Sequence, residues 1–198
     1  MVLPSAYLPP VSWFSALLKD ETFFIEQYEN YHKQTIRNRC TIDSPNGPLH
    51  LSIPIDKGNF IEGKCLMKDV RISTHSDWQR QHWYAIETSY FNSPFFEYLQ
   101  DDFRPLYERK WRFLMDFNET LIETSCAILD IKPKMARTTA YKGLTPVAYS
   151  SHTPSVPSSP LPSSKPYYQV FQQKHGFLPN LSIIDLLFNM GNESVLML

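Results

Sequence analysis

Three cations occupy alternate positions in the run His32-Lys33-Gln34-Thr35-Ile36-Arg37-Asn38-Arg39-Cys40-Thr41-Ile42. Read as a strand, the run sends Lys33, Thr35, Arg37, Arg39 and Thr41 to one face and Ile36, Asn38, Cys40 and Ile42 to the other. Fixed positive charges on one face suit an anionic ligand, and an arginine pair grips phosphate or carboxylate through paired N–H donors. Asn38 falls on the apolar face, where its amide must either bridge backbone groups or meet a ligand. His50 lies close enough to the basic face to join it. The expected ligand-binding set is therefore Lys33, Arg37, Asn38, Arg39 and His50. The competing account is a solvated face whose charges pair with Asp43 or Glu29.

A hairpin must position these side chains. Asn46-Gly47 is a turn signal between the basic run and Leu49-His50-Leu51-Ser52-Ile53-Pro54. Strands near Thr35–Asp43 and Leu49–Ile55 are expected. Pairing them about the turn sets Ile42 opposite Leu51, Cys40 opposite Ile53, Thr41 opposite Ser52 and Asp43 opposite His50, so apolar meets apolar. Pro48 cannot close a two-residue turn, so a four-residue loop is expected.

Around the hairpin the pattern reads as α/β or α+β, with a mixed sheet and helices packed on it. Val2–Leu3 is a short strand, and Pro9-Pro10 opens a helix through Val11, Trp13, Phe14, Leu17 and Leu18. Thr22 to Tyr28 is a second strand, which completes an early β-α-β unit and predicts parallel pairing. Leu66 to Ser73 reads as a further strand. Ser76-x-x-Gln79 resembles a capping box before a helix carrying Trp78, His82, Ile86 and Tyr90. In that stripe His82 reads as a buried, satisfied histidine. Phe95 to Leu99 is a short helix, and Trp111 to Leu129 the longest, with Leu114, Phe117, Leu121, Ser125 and Ile128 along one stripe and Pro133 as its stop. Within it Asn118 projects away from the stripe and is expected in solvent. Arg104, Arg109, Lys110 and Arg112 form a second basic run, expected to be surface. Tyr167 to Phe171 reads as a return strand. Ser182-x-x-Asp185 opens a final helix with apolar residues all round, expected to be buried, and Gly191 stops it.

The segment at about 144–166 is rich in serine and proline and nearly free of charge. Such a composition cannot bury enough surface to offset chain entropy, so it reads as a flexible insertion in one domain spanning 1–198. Composition narrows the function classes further. With 198 residues the chain is long enough to bury a core without disulfides or metals. A formal charge of −1 supplies no global field for nucleic acid, so any anion site is local. Cys40, Cys65 and Cys126 have no metal or disulfide spacing and read as reduced thiols of a cytoplasmic protein. Six histidines without a close ligand pair give no metal site. The start has no basic region before an apolar run, and Pro4, Pro9 and Pro10 interrupt it, which argues against a signal peptide. Asp185, Asn189, Asn192 and Glu193 break the last apolar stretch, so no membrane span is expected. There is no glycine-rich phosphate loop and no nucleophile elbow or C-x-x-C.

Several segments resemble the WbqC-like protein family. These are Tyr7-Leu8-Pro9 with Trp13-Phe14, the Thr22–Tyr28 strand, Lys33 with Asn38-Arg39, and the glycine turn followed by Leu51-x-Ile53-Pro54. They continue with the Trp78–Tyr90 helix running into Ser93-Pro94-Phe95-Phe96, and with Leu114-x-x-Phe117-Asn118. The most specific block closes the chain: Tyr168-Gln169-x-Phe171, Gly176-Phe177, then Asn180-Leu181-Ser182-Ile183-x-Asp185-Leu186-Leu187-Phe188-x-x-Gly191. Members typically open with His-Gln-Pro, where this chain reads Leu3-Pro4-Ser5, and a glycine of the first helix is Ser12 here. The resemblance implies a bacterial protein associated with polysaccharide gene clusters. It implies a cytoplasmic enzyme or enzyme-like protein of glycan-precursor biosynthesis that binds a phosphate-bearing ligand such as a nucleotide-sugar. The missing histidine, and the lack of a nucleophile–base arrangement, keep a non-catalytic binding or scaffold protein as the alternative. A nucleotidyltransferase-like enzyme rests only on the early β-α-β. No cofactor is indicated.

Overall fold

The computed structural model describes residues 1–20, 22–145 and 165–198. The expected flexible insertion at about 144–166 lies almost wholly outside them. The architecture is mixed α/β. β1 (Val2–Pro4) and β2 (Thr22–Glu26) pair in parallel, with Leu3 opposite Ile25, and α1 (Val11–Leu17) makes the crossover. A third parallel strand, β7 (Lys134–Arg137), pairs with the other edge of β2. The antiparallel pairs are separate: β3 (Arg39–Ile42) with β4 (Leu49–Ser52), and β5 (Ile55–Asp56) with β6 (Arg71–Ile72). Among the described residues, parallel and antiparallel pairings thus occupy different small sheets, not one mixed sheet.

Four longer helices build the core: α2 (Trp78–Tyr90), α3 (Phe96–Glu108), α4 (Leu114–Ile128) and, beyond the four-residue α5 (Gln172–His175), α6 (Ile183–Met190). Buried apolar side chains from both ends of the chain join one cluster that includes Trp13, Phe23, Tyr90, Phe117 and Phe188. Helix α6 is at its heart: Ile183, Leu186, Leu187 and Phe188 are fully enclosed, as the all-round apolar pattern predicts. Ring contacts of Phe188 with Tyr90, Phe96 and Phe103 tie α6 to α2 and α3.

Several local expectations change. The basic run is not one long strand, because residues 33–38 turn, with Gln34 at φ +59°. Thr35 drives the turn: its hydroxyl donates to the His32 carbonyl, and its own carbonyl accepts from the N–H groups of Asn38 and Arg39. The hairpin forms, but its register slips by two residues from the one expected: Ile42 faces Leu49, Cys40 faces Leu51 and Thr41 faces His50. A two-residue slip preserves which side chains point inward, so Ile42 and Cys40 remain buried. The loop lengthens to residues 43–48, closed by reciprocal backbone bonds between Ser44 and Gly47.

Leu66 to Ser73 contains a 3-10 turn (Met67–Asp69) before the two-residue β6. Helix α3 runs on past Leu99 and through Pro105 to Glu108. Tyr167 to Phe171 forms no strand. Neither proposed capping box forms. Asp77, not Ser76, precedes α2, and the Ser182 hydroxyl donates to the Leu8 carbonyl instead of capping α6.

Candidate functional site

The N-terminal turn, residues 4–10, is clasped from two sides. The closing block holds it through Val11 N–H to Leu181 O, Ser12 N–H to Asn180 Oδ1, and Ile183 N–H to the Pro9 carbonyl. Ser182 N–H also reaches the Thr41 carbonyl, so the same block fastens the hairpin to the turn. On the other side Tyr7 N–H donates to the Ile36 carbonyl at 2.8 Å. Leu8 adopts φ +40°, a left-handed conformation that this double fastening holds in place.

Beneath the turn lies a buried polar cluster built from sequence-distant residues. Asn118 is fully buried, not in solvent. Its Nδ2 donates to Ser5 Oγ at 3.0 Å and to the Arg37 carbonyl at 2.8 Å. Arg37 is enclosed as well, with 2% of its side chain exposed, and forks onto Glu29 through Nε–Oε1 (2.9 Å) and Nη2–Oε2. Asn38 Nδ2 donates to the Ile53 carbonyl at 3.0 Å, the backbone-bridging role. The Oδ1 atoms of Asn38 and Asn118 are buried without a partner among the described residues. An interior with this much polarity is costly unless its groups are paired, and the paired groups here hold the 33–38 turn against the N-terminal turn and α4.

The expected site residues therefore separate. Arg37 and Asn38 are interior, and the single face shared by Lys33, Arg37 and Arg39 does not exist. Lys33 is exposed on the turn. Arg39 begins β3, partly exposed, and its one side-chain hydrogen bond among the described residues runs from Nε to Ser52 Oγ at 2.6 Å. His50, exposed on β4, meets Thr41 Oγ1 through Nδ1 at 2.9 Å. Arg39 acts on two neighbours. Partial desolvation, then the Arg39 charge, lowers the His50 pKa. Burial pushes the Tyr31 hydroxyl up to about 12, against the pull of Arg37 and Arg39. Arg39, within electrostatic reach of both His50 and Tyr31, is the centre of a partly exposed rim. Tyr31 was missed in the sequence because it precedes the basic run and carries no charge.

A second interior group sits under α2. Tyr7 Oη lies 2.9 Å from His82 Nδ1 and 2.8 Å from Tyr107 Oη. Burial lowers the His82 pKa to about 4, so the ring is neutral near pH 7, and its bond to the Ser52 backbone leaves Nδ1 as acceptor from Tyr7. Tyr7 and Tyr107 are held protonated by burial, their pKa values well above the usual tyrosine value. Enclosed by Trp78 and Phe117, this chain of hydroxyls and imidazole is a packed core element, as expected for His82.

A third buried group involves Asp185, which accepts from Tyr90 Oη (2.8 Å), Tyr167 Oη (2.7 Å) and Gln169 Nε2 (3.0 Å). Desolvation outweighs these donors and raises its pKa to about 6. Tyr90 Oη also accepts the N–H of Asp43, which links this group to the hairpin loop. Among the described residues no group of histidine, cysteine or carboxylate side chains has the arrangement of a metal site. None of their helices is long and apolar enough to cross a membrane.

Residues 5–149 match the model of the WbqC-like protein family. The matched range holds the N-terminal turn, the hairpin, the rim and Asn118, and ends before the closing block. Among curated proteins, the "Uncharacterized protein Rv1507c" of Mycobacterium tuberculosis is 25% identical over 221 residues, covering 98% of this chain and 94% of its own length. No solved structure matches.

Proposed function

The chain belongs to the WbqC-like protein family, and we propose that it binds a phosphate-bearing small molecule at the rim formed by Arg39, His50 and Tyr31, with Lys33 as an outer contact. The observation that carries this is the state of Arg39. Its guanidinium is held by one bond to Ser52, and both Nη groups are without a protein acceptor among the described residues. A guanidinium fixed at Nε and open at Nη presents the donor pair that phosphate accepts. Tyr31, whose hydroxyl stays protonated, adds a neutral donor, and His50 adds a second cation once protonated. Arg37 and Asn38 support this rim from behind and do not touch the ligand.

The ligand class, a nucleotide-sugar or sugar phosphate of glycan-precursor metabolism in the cytoplasm, follows the polysaccharide association that the family resemblance implies. Catalysis, if the ligand is turned over, rests on positioning and charge, since the described residues present no nucleophile–base pair at the rim. A non-catalytic binder is the second reading, favoured by Leu3-Pro4-Ser5 standing where members carry His-Gln-Pro. Thermal-shift measurements with UDP-glucose, glucose 1-phosphate and UDP test the proposal. A stabilisation that saturates with ligand supports it, and no shift with any of them at millimolar concentration refutes it. Product analysis with the stabilising ligand then separates enzyme from binder.

A further inference from the structure

Four of the eight guanidinium groups of this protein find a carboxylate: Arg37 with Glu29, Arg80 with Asp77, Arg104 with Glu108, and Arg137 with Asp116 and Glu119. Of the other four, Arg71 and Arg112 line one cleft. It lies where β6 meets the α3–α4 connection, residues 109–113. Ile72 N–H donates to the Arg112 carbonyl and Leu114 N–H to the Val70 carbonyl, each at 3.0 Å, and Arg71 bridges to Phe113. The connection is therefore fastened alongside β6 as a strand would be. These bonds fix the backbone that carries Arg71 on one side and Lys110 and Arg112 on the other.

Between them is a cavity of about 350 Å3 lined by Arg71, His75, Lys110, Trp111 and Arg112, with Asp56 as its one acidic wall residue. Among the described residues Arg71, Lys110 and Arg112 take part in no ion pair. Arg71 Nε is buried and has no acceptor there. Asp56 is already occupied, since its Oδ1 accepts the Gly58 N–H at 2.8 Å. The indole is pre-set: Trp111 Nε1 donates to the Leu106 carbonyl at 2.7 Å, and the Arg109 guanidinium stands 4.4 Å from the ring centroid. None of the residues of the Arg39 rim lines this cleft.

We infer that this cleft is a second anion site that binds the phosphate group of a small phosphomonoester, with its body against Trp111. Three cationic residues and one engaged carboxylate line the cleft, a net positive wall that a dianionic oxyanion neutralises once the exposed Arg112 guanidinium turns in from its stack over Phe113. Arg71 lines the cleft with its Nε buried and without a protein acceptor among the described residues, so its guanidinium is the under-satisfied cation that an oxyanion in the cleft complements. The volume lies near the lower end of small-molecule sites, about 300–1,000 Å3, which suits one compact ring and not a dinucleotide. The inference stands on its own residues and is independent of the Arg39 proposal.

Calorimetric titration with glucose 1-phosphate and with inorganic phosphate tests it, using wild type and the Arg39→Ala background to remove the other rim. One glucose 1-phosphate is expected to bind in that background, more tightly than inorganic phosphate. Lys110→Ala and Arg112→Ala should each weaken it by about tenfold or more. Both residues are exposed, so folding should survive their replacement, which circular dichroism checks. Equal affinity for phosphate and glucose 1-phosphate would overturn the phosphomonoester. No binding at millimolar ligand, binding indifferent to both substitutions, or an equal loss in the surface control Arg104→Ala would overturn the site.

Discussion

Removing Arg37 should damage folding before it damages ligand binding. Its side chain is 2% exposed and that of its partner Glu29 is 8% exposed, so Arg37→Ala strands a carboxylate in the interior. Breaking a buried pair from one side costs about 3–5 kcal/mol, because the remaining charge keeps its desolvation penalty and loses its compensation. Against a total stability of about 5–15 kcal/mol this is a large fraction, and at about 2–4 °C per kcal/mol for a chain this size it lowers the melting temperature by roughly 6–20 °C. Replacing both partners with apolar residues, Arg37→Met with Glu29→Leu, should regain most of the loss. Urea denaturation of the two single variants and the double variant gives the coupling directly. If Arg37→Ala unfolds within about 0.5 kcal/mol of wild type, the pair does not hold the 33–38 turn and the account of the buried cluster fails.

Two further outcomes follow from the core. Leu187→Ala, at a fully buried α6 position, should cost about 2–5 kcal/mol in a denaturation curve, and a change within about 0.5 kcal/mol would show α6 to be peripheral. Asp185 has a folded-state pKa of about 6 against an ordinary 3.8, so its contribution to stability is complete below about pH 4 and is lost as pH rises through 6. At about 1.4 kcal/mol per pH unit the loss is about 3 kcal/mol. Asp185→Asn, which keeps an acceptor for Tyr90 and Tyr167, should flatten the pH dependence of stability between about pH 4 and 7 by that amount. An unchanged slope refutes the assignment.

The early β-α-β and the buried final helix were legible because apolar runs and prolines mark them locally. The hairpin was legible in its existence and its inward face, but not in its register. Alternation repeats every two residues, and the register is decided by Ser44, Gly47 and the Asp43 N–H on Tyr90, which are long-range or loop bonds. Strand β7 escaped notice because Lys134 and Arg137 give it no apolar alternation; it forms by adding to the free edge of β2.

Asn118 was misplaced because its partner is polar, the Arg37 carbonyl, so an apolar stripe cannot point to it. The candidate site suffered most from one error. The alternation of charges in residues 33–39 imitates a strand, while Thr35 makes it a turn, and that buries Arg37 and leaves Arg39 at the rim. The rim centres on Arg39, which lies within electrostatic reach of Tyr31 and His50, a relation that sequence alternation does not mark.

The proposal for Arg39 is tested most directly by calorimetric titration of UDP-glucose into wild type, Arg39→Ala and the surface control Arg104→Ala, with near-ultraviolet circular dichroism confirming folding. Losing a charge-assisted contact costs about 1.5–3 kcal/mol, so Arg39→Ala should weaken binding by about one to two decades while Arg104→Ala stays close to wild type. A folded Arg39→Ala that binds UDP-glucose as wild type does, or two variants that weaken alike with steep salt dependence, would contradict it.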